Sequence, residues 1–207
     1  MERAGSHIDL TNLTFEPVTA DRWYDFDTLF SGEPGVHRYC WCMYWRLKRA
    51  EFHRQGSQVL RSAMQAIVAA DRVPGILAYW EGRPIGWCSV APRDEFSTLD
   101  RSPTLQRVDD RPVWSIVCFF ISEPSRQQGV AQALLQAAIQ HARLNGAQIL
   151  EAYPLLPDEG KDQRFEEYMG IVPMFESAGF TLAAARSRRR VVMRLPLAPP
   201  AGDADPV

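Results

Sequence analysis

The sequence predicts a mixed α/β domain with a central sheet of about six or seven strands flanked by helices. It occupies residues 1–197, with a disordered tail over residues 198–207. Two observations carry this. An apolar run from Val113 to Ile121, a helix-patterned segment from about Gly129 to Leu144 and a strand-like run from Gln148 to Tyr153 form a strand–helix–strand unit, expected to be parallel and right-handed. Gly75 to Trp80 with Pro84 to Val90, and separately Thr181 to Leu197, read as antiparallel hairpins, so the sheet is mixed.

Taken in order, Asn12 to Val18 alternates enough to be a first strand. Asp21 then stands where it can cap a short helix in which Trp23, Phe26 and Phe30 fall at helical spacing. Ser31 to Gly35 breaks that helix, and an aromatic segment, Tyr39 to Arg46, follows. Ser57 to Ala70 reads as a second helix with Val59, Ala63, Ala66, Ile67 and Ala70 on one face. The first hairpin turns at Glu81-Gly82-Arg83. Arg93 to Pro112 is a polar connection long enough to be functional or partly disordered. Trp114 to Ile121 is nearly all apolar, as a strand buried on both faces should be. In the helix after it, Ala131, Leu134, Leu135, Ala138, Ile139 and Ala142 form a stripe opposite Gln132, Gln136, Gln140 and Arg143, ended by Asn145-Gly146. Leu155 to Gln163 reads as a loop, and Phe165 to Ser177 as a helix broken near Pro173.

Composition narrows the function. Lysine and arginine (23) nearly balance aspartate and glutamate (25), leaving a formal net charge of −2. Such a chain has no general attraction to nucleic acid or membrane surfaces. No apolar stretch approaches the roughly 20 residues that span a bilayer, and the N-terminus lacks a signal-peptide core. A cytoplasmic protein, monomer or homodimer, is expected. Cys40, Cys42, Cys88 and Cys118 read as reduced thiols. Cys40-x-Cys42 suggests zinc only if the fold gathers Cys88, Cys118, His37 or His53 around it, so no metal is expected.

The most informative stretch is Arg126-Gln127-Gln128-Gly129-Val130-Ala131, at the junction of strand and helix. The N–H groups of a first helical turn lack intrahelical partners and carry the positive end of the helix dipole. Gly129 admits a ligand close to the backbone, and Arg126 adds a positive charge. No Gly-Lys-Ser/Thr follows, and the three glycines of a dinucleotide fingerprint are missing. The junction suits a pyrophosphate held in some other way.

Ile121-Ser122-Glu123-Pro124-Ser125-Arg126-Gln127-Gln128-Gly129-Val130-Ala131 resembles the acetyl-CoA-binding motif of the GNAT N-acetyltransferase superfamily. Ile85-Gly86-Trp87-Cys88-Ser89-Val90 resembles the family's upstream hairpin strand, and Met174-Phe175-Glu176-Ser177-Ala178-Gly179-Phe180 its late helix ending in Gly-Phe. The resemblance covers roughly residues 73–195; the first 70 residues match only in their order of elements. It implies that the central strand splays from its parallel neighbour, and that acetyl-CoA binds along the free backbone of Phe119, Phe120 and Ile121 with its pyrophosphate over Arg126, Gln127, Gln128, Gly129, Val130 and Ala131. It also implies direct acetyl transfer to a primary amine, of a small molecule or a peptide, in a ternary complex.

The chain departs from the family where proton transfer is concerned. The tyrosine many members carry four residues before the late glycine is Phe175 here, and the glutamate many carry early in the central strand is Ser115. Tyr168 is the nearest substitute acid, and Glu151 on the neighbouring strand a substitute base acting through water. Missing usual residues keep a second reading open, a non-catalytic acyl-CoA-binding protein of the same fold. A nucleic-acid-binding module is a third, and the net charge argues against it; a solvated hairpin turn accounts for Arg186, Arg188, Arg189 and Arg190 more simply. For the acceptor, the aromatic residues Tyr39, Trp41, Tyr44 and Trp45 could wall a site or plug the core. The connection carrying Asp94, Glu95, Asp100, Asp109 and Asp110 either steers a cationic amine or is simply solvated.

Overall fold

The computed structural model describes residues 7–32, 37–156 and 167–197. The strands are β1 (Thr14–Pro17), β2 (Ile76–Trp80), β3 (Arg83–Pro92), β4 (Trp114–Ile121), β5 (Ile149–Ala152), β6 (Thr181–Ala184) and β7 (Val192–Pro196). They form one seven-stranded sheet in the order β1-β2-β3-β4-β5-β7-β6. Every neighbouring pair is antiparallel except β4 and β5. The helices are α1 (Trp23–Ser31), α2 (His37–Cys40), α3 (Arg49–Arg54), α4 (Ser57–Ala69), α5 (Val130–Leu144) and α6 (Val172–Glu176). The 198–207 tail and the 157–163 part of the expected loop lie outside the described residues.

Local chemistry accounts for most of these elements. Glu81 and Gly82 take positive φ (+48° and +73°), which lets a two-residue turn follow the twist of β2 and β3. α5 buries Leu134, Leu135, Ala138, Ile139 and Ala142, the stripe expected of it, with Val130 rather than Ala131 beginning it. Three expectations need correction. α4 buries Leu60, Met64 and Val68, while Val59 is half exposed. The larger side chains at i, i+4 and i+8 bury more apolar area than an alanine-rich face would, and they turn the helix. Pro173 sits in the first turn of α6 rather than breaking a longer helix, because proline's missing N–H has no partner to lose there. Asp21 accepts a hydrogen bond from the Thr19 hydroxyl instead of capping α1, which a single 3-10 turn precedes. α3 was not foreseen, since Arg49–Arg54 carries only Phe52 as a large apolar residue and shows no period.

Three packed layers surround the sheet. α5 covers one face, with Leu134, Leu135 and Ala138 against Ile76, Cys88, Ile116 and Leu150. α1 and α4 cover part of the other, with Phe26, Phe30 and Met64 against Leu77, Trp87 and Phe120. The connection after β3 is ordered and packed: Phe96, Leu99 and Leu105 join Trp45 over Val117, Tyr153 and Val192. Its tips are anchored by Thr98, whose N–H reaches the Trp45 carbonyl and whose hydroxyl reaches that of Leu47. Among the described residues no helix is long and apolar enough to cross a membrane.

Candidate functional site

The sheet opens at its centre. β4 pairs with β3 over its whole length, from Trp114 opposite Pro92 to Ile121 opposite Gly86. It pairs with β5 only at Trp114, Ser115 and Ile116, opposite Leu150, Glu151 and Ala152. Beyond Ile116 the pairing stops, because β5 ends at Ala152, and among the described residues no strand pairs with Val117–Ile121 on that side. The register against β3 also slips, Cys118 facing Ser89 and Ile116 facing Val90. Val117 is therefore a bulge residue, and Val117 and Cys118 both pack towards the Trp45–Phe96 cluster. The open edge carries Phe119, Phe120 and Ile121, the three residues singled out in the sequence.

The open edge leads into the loop before α5. Arg126 turns its Nε back onto the Ile121 carbonyl (3.0 Å), so the guanidinium clasps the strand end. Gln127 has φ +59° and Gly129 φ +83°, a left-handed cap that brings the chain sharply into α5. No side chain caps the N-terminus of α5. Its first-turn N–H groups are thus left for another partner, the arrangement that suits a phosphate. The atoms nearest to a Cβ built on Gly129 belong to the Leu10 side chain, the first at 2.9 Å.

The two residues expected to move protons have different partners. Glu151 is fully enclosed; its Oε1 receives Arg93 Nη1 and the Tyr153 hydroxyl, each at 2.7 Å, and its Oε2 receives Arg194 Nε at 2.7 Å. Tyr153, also fully buried, connects this group to Ser115 Oγ at 2.7 Å. Burial, then the Glu151 charge, pushes the Tyr153 hydroxyl well above its ordinary pKa. Tyr168 instead sits in a 3-10 turn packed against β4, with the Arg190 guanidinium 6.0 Å from its ring centre. Burial raises its pKa, and the nearby Cys118, Tyr44 and Cys40 add to the shift. Phe175, at the family's tyrosine position, is buried with its ring 6.2 Å from Phe119 and 5.1 Å from Phe180.

The aromatic segment does not form a single wall. Tyr39 is exposed (68%). Trp41 stacks on Phe30 (5.7 Å) and donates from Nε1 to Ser57 Oγ (2.9 Å), deep in the α1 cluster. Trp45 joins the cluster below Val117, and its buried Nε1 has no hydrogen-bond partner among the described residues. Tyr44 meets Trp45 edge-on (4.9 Å) and carries Arg49 over its ring (5.3 Å). The acidic connection lies at the opposite end of β4 from Ile121, since Arg93 follows directly on Pro92, the partner of Trp114. There Asp94 pairs with Arg107, Glu95 with Arg46 and Arg72, Asp100 with Arg93 and Asp109 with Arg194. The fold does gather thiols. Cys42 accepts from Trp87 Nε1 (2.9 Å), and a hydrogen bond with Cys42, then burial, raises the Cys118 thiol, with Cys40 and Cys88 close enough to contribute. Among the described residues no group of three or more histidines, cysteines or carboxylates is arranged to hold a metal ion. Cys118 is the site neighbour that pattern could not single out, because the bulge in β4 brings it there.

Residues 32–170 match the model of the acetyltransferase (GNAT) family. The chain belongs to the GNAT acetyltransferase family. The match takes in residues 32–72, where the motif resemblance reached only an order of elements, and stops short of Gly179-Phe180. Solved structures share the GNAT fold. An acetyltransferase of Streptococcus agalactiae is 9% identical with a TM-score of 0.54, over 92% of this chain and 99% of that one. An acetyltransferase of Thermus thermophilus is 14% identical with a TM-score of 0.51, over 92% and 99%. An agmatine N-acetyltransferase variant in its apo form is 9% identical with a TM-score of 0.54, over 90% and 100%. Among curated proteins no match to this sequence was found.

Proposed function

We propose that this GNAT protein moves an acetyl group from acetyl-CoA to a primary amine by direct attack, in a ternary complex in the cytoplasm. The observation that carries the reading is the end of β4–β5 pairing after Ile116, continued into an uncapped helix start at Gly129. Extended backbone at Phe119, Phe120 and Ile121 suits an amide-bearing arm laid alongside as if it were a strand. The Gln127–Ala131 turn suits the pyrophosphate at the end of that arm. When bound, acetyl-CoA supplies a thioester whose carbonyl carbon the amine attacks, the C–N bond forming as C–S breaks.

The protein's part is to orient and to move protons. A backbone N–H on the open edge of β4 donates to the carbonyl oxygen as negative charge builds on it. Tyr168 donates the proton that the departing thiolate takes up, since a tyrosine hydroxyl carries its proton at neutral pH. The acceptor's ammonium gives one proton to solvent at the cleft mouth before it attacks, and the second proton its nitrogen loses on forming the amide restores the Tyr168 hydroxyl through solvent. Cys118 is not a relay in this scheme, because its thiol is held protonated and a thiol is a poor nucleophile. Glu151, closed in by two arginines, anchors β5 to β7 rather than taking the proton. Tyr44, edge-on to the buried Trp45, borders the acceptor's approach.

The non-catalytic reading, acyl-CoA binding alone, draws support from Phe175 and Ser115 at the positions of the usual acid and base. One experiment separates the two. Protein, acetyl-CoA and a panel of a polyamine, an aminoglycoside and a short peptide with a free amino terminus are incubated together, and acceptors are weighed by mass spectrometry. A gain of one acetyl group supports transfer. Calorimetric CoA binding with no acceptor modified supports the binding protein, and no CoA binding removes both.

A further inference from the structure

The segment before β1 contributes nothing to the reading so far, yet it is built into the loop on which that reading depends. Ile8 is 2% exposed and lies in the same cluster as Val130 and Leu134 of α5. Its backbone N–H donates to Gln128 Oε1 at 2.8 Å, across 120 residues of sequence. The same Gln128 amide donates from Nε2 to the Pro124 carbonyl at 2.9 Å. One side chain therefore ties the N-terminal segment to both ends of the Pro124–Gln128 turn. Leu10 closes the flank, its Cδ1 occupying the space where a Cβ on Gly129 would lie 2.9 Å away. The segment is itself stiffened, because the Asp9 carboxylate accepts from Thr11 N (3.0 Å), Thr11 Oγ1 (2.7 Å) and Asn12 Nδ2 (3.1 Å).

The loop needs such support. Gln127 holds φ +59°, a region that a residue with a side chain enters only when its surroundings demand it. Released from its neighbours, the turn would relax and its N–H groups would no longer converge on one anion. We propose that Ile8–Leu13 is a strap that sets the shape of the phosphate loop, with Gln128 and Leu10 as positioning residues for the cofactor's pyrophosphate. This rests on the acetyl-CoA reading above and extends it to a segment, Ile8–Leu13, outside the turn that would hold the pyrophosphate.

Calorimetry with CoA, beside ligand-observed NMR with pantetheine, which lacks the pyrophosphate, tests the strap. Gln128→Ala removes both tethers and is expected to weaken CoA about three- to tenfold, the effect of one or two hydrogen bonds, with pantetheine binding unchanged. Leu10→Ala is expected to weaken CoA in the same direction and Leu10→Met to restore it; Leu10 is 43% exposed, so neither change should cost the fold, and a melting curve checks this. Unchanged CoA affinity in Gln128→Ala and Leu10→Ala overturns the strap and leaves the cofactor site standing. Equal loss of CoA and pantetheine also overturns it, because the damage is then general. If the unaltered protein binds no CoA, the strap falls together with the proposed function.

Discussion

Glu151 on β5 and Arg194 on β7 face each other across the sheet with Oε2 and Nε 2.7 Å apart, the carboxylate enclosed and the guanidinium 7% exposed. Arg93 closes on the other oxygen, so two buried cations share one enclosed anion. Glu151→Ala takes the buried carboxylate from both, leaving Arg93 only Asp100 and Arg194 only Asp109, and removal of one partner of a buried pair costs about 3–5 kcal/mol. The expected outcome is a fall in melting temperature of about 10 °C or more, with CoA affinity at 20 °C retained. A full melting temperature together with lost activity would make Glu151 a base after all.

Tyr168→Phe removes the proposed proton donor without changing the packing of the ring. Acetylation of any amine that the protein accepts is expected to slow by about a hundredfold or more, the usual scale for a lost general acid, while CoA binding stays the same. An unaltered kcat would show that the thiolate leaves without help from this hydroxyl.

Phe175→Tyr reinstates the residue type that many GNAT members carry, and it should not rescue a Tyr168→Phe protein. Phe175 is fully buried between Phe119 and Phe180, and its ring lies beside Gly170. A hydroxyl placed there lacks a partner and costs about 1–3 kcal/mol. The expected readout is a lower melting temperature in Phe175→Tyr and no recovery of rate in the double variant.

Alkaline stability follows from the buried acids. Burial first and then Cys42 push the Cys40 thiol up to about 12, and the Cys88, Cys118, Tyr153 and Tyr168 groups are raised as well. The native state thus holds protons that the unfolded chain releases, from about pH 9 upward for the thiols. Stability is complete below that pH and is lost as pH rises through the native values. Melting temperatures measured from pH 8 to 11 should fall, and less steeply in Cys40→Ala. A flat profile would contradict the burial of these groups.

Much of this fold could be read from periodicity. α5 shows its buried stripe in the sequence because its large apolar side chains, Leu144 excepted, lie on one face against one partner. α4 misled because its alanines and its larger residues define different faces, and only the packing partner chooses between them. Motif spacing located the loop at Arg126–Ala131, since short-range geometry is written in short-range sequence. The buried group of Arg93, Glu151 and Arg194 was hidden: its members are up to 101 residues apart, and only strand order makes them neighbours. The sequence leaves open whether the acidic connection steers a cation or is simply solvated, because several of the arginines its carboxylates pair with, Arg46, Arg72 and Arg194, lie far off in the chain. Asp94→Asn is accordingly expected to leave the acceptor's KM unchanged.

The two halves of the sheet meet along a very short suture. β3 and β4 share seven residue pairs, but β4 and β5 share only three. A linear molecule lying against Val117–Ile121 would lengthen that suture and make the halves one continuous fabric. Occupancy of the cleft and mechanical unity of the protein would then be the same event. Amide exchange across the suture should report binding by slowing on both sides at once, including in β7 and β6, which the ligand never reaches.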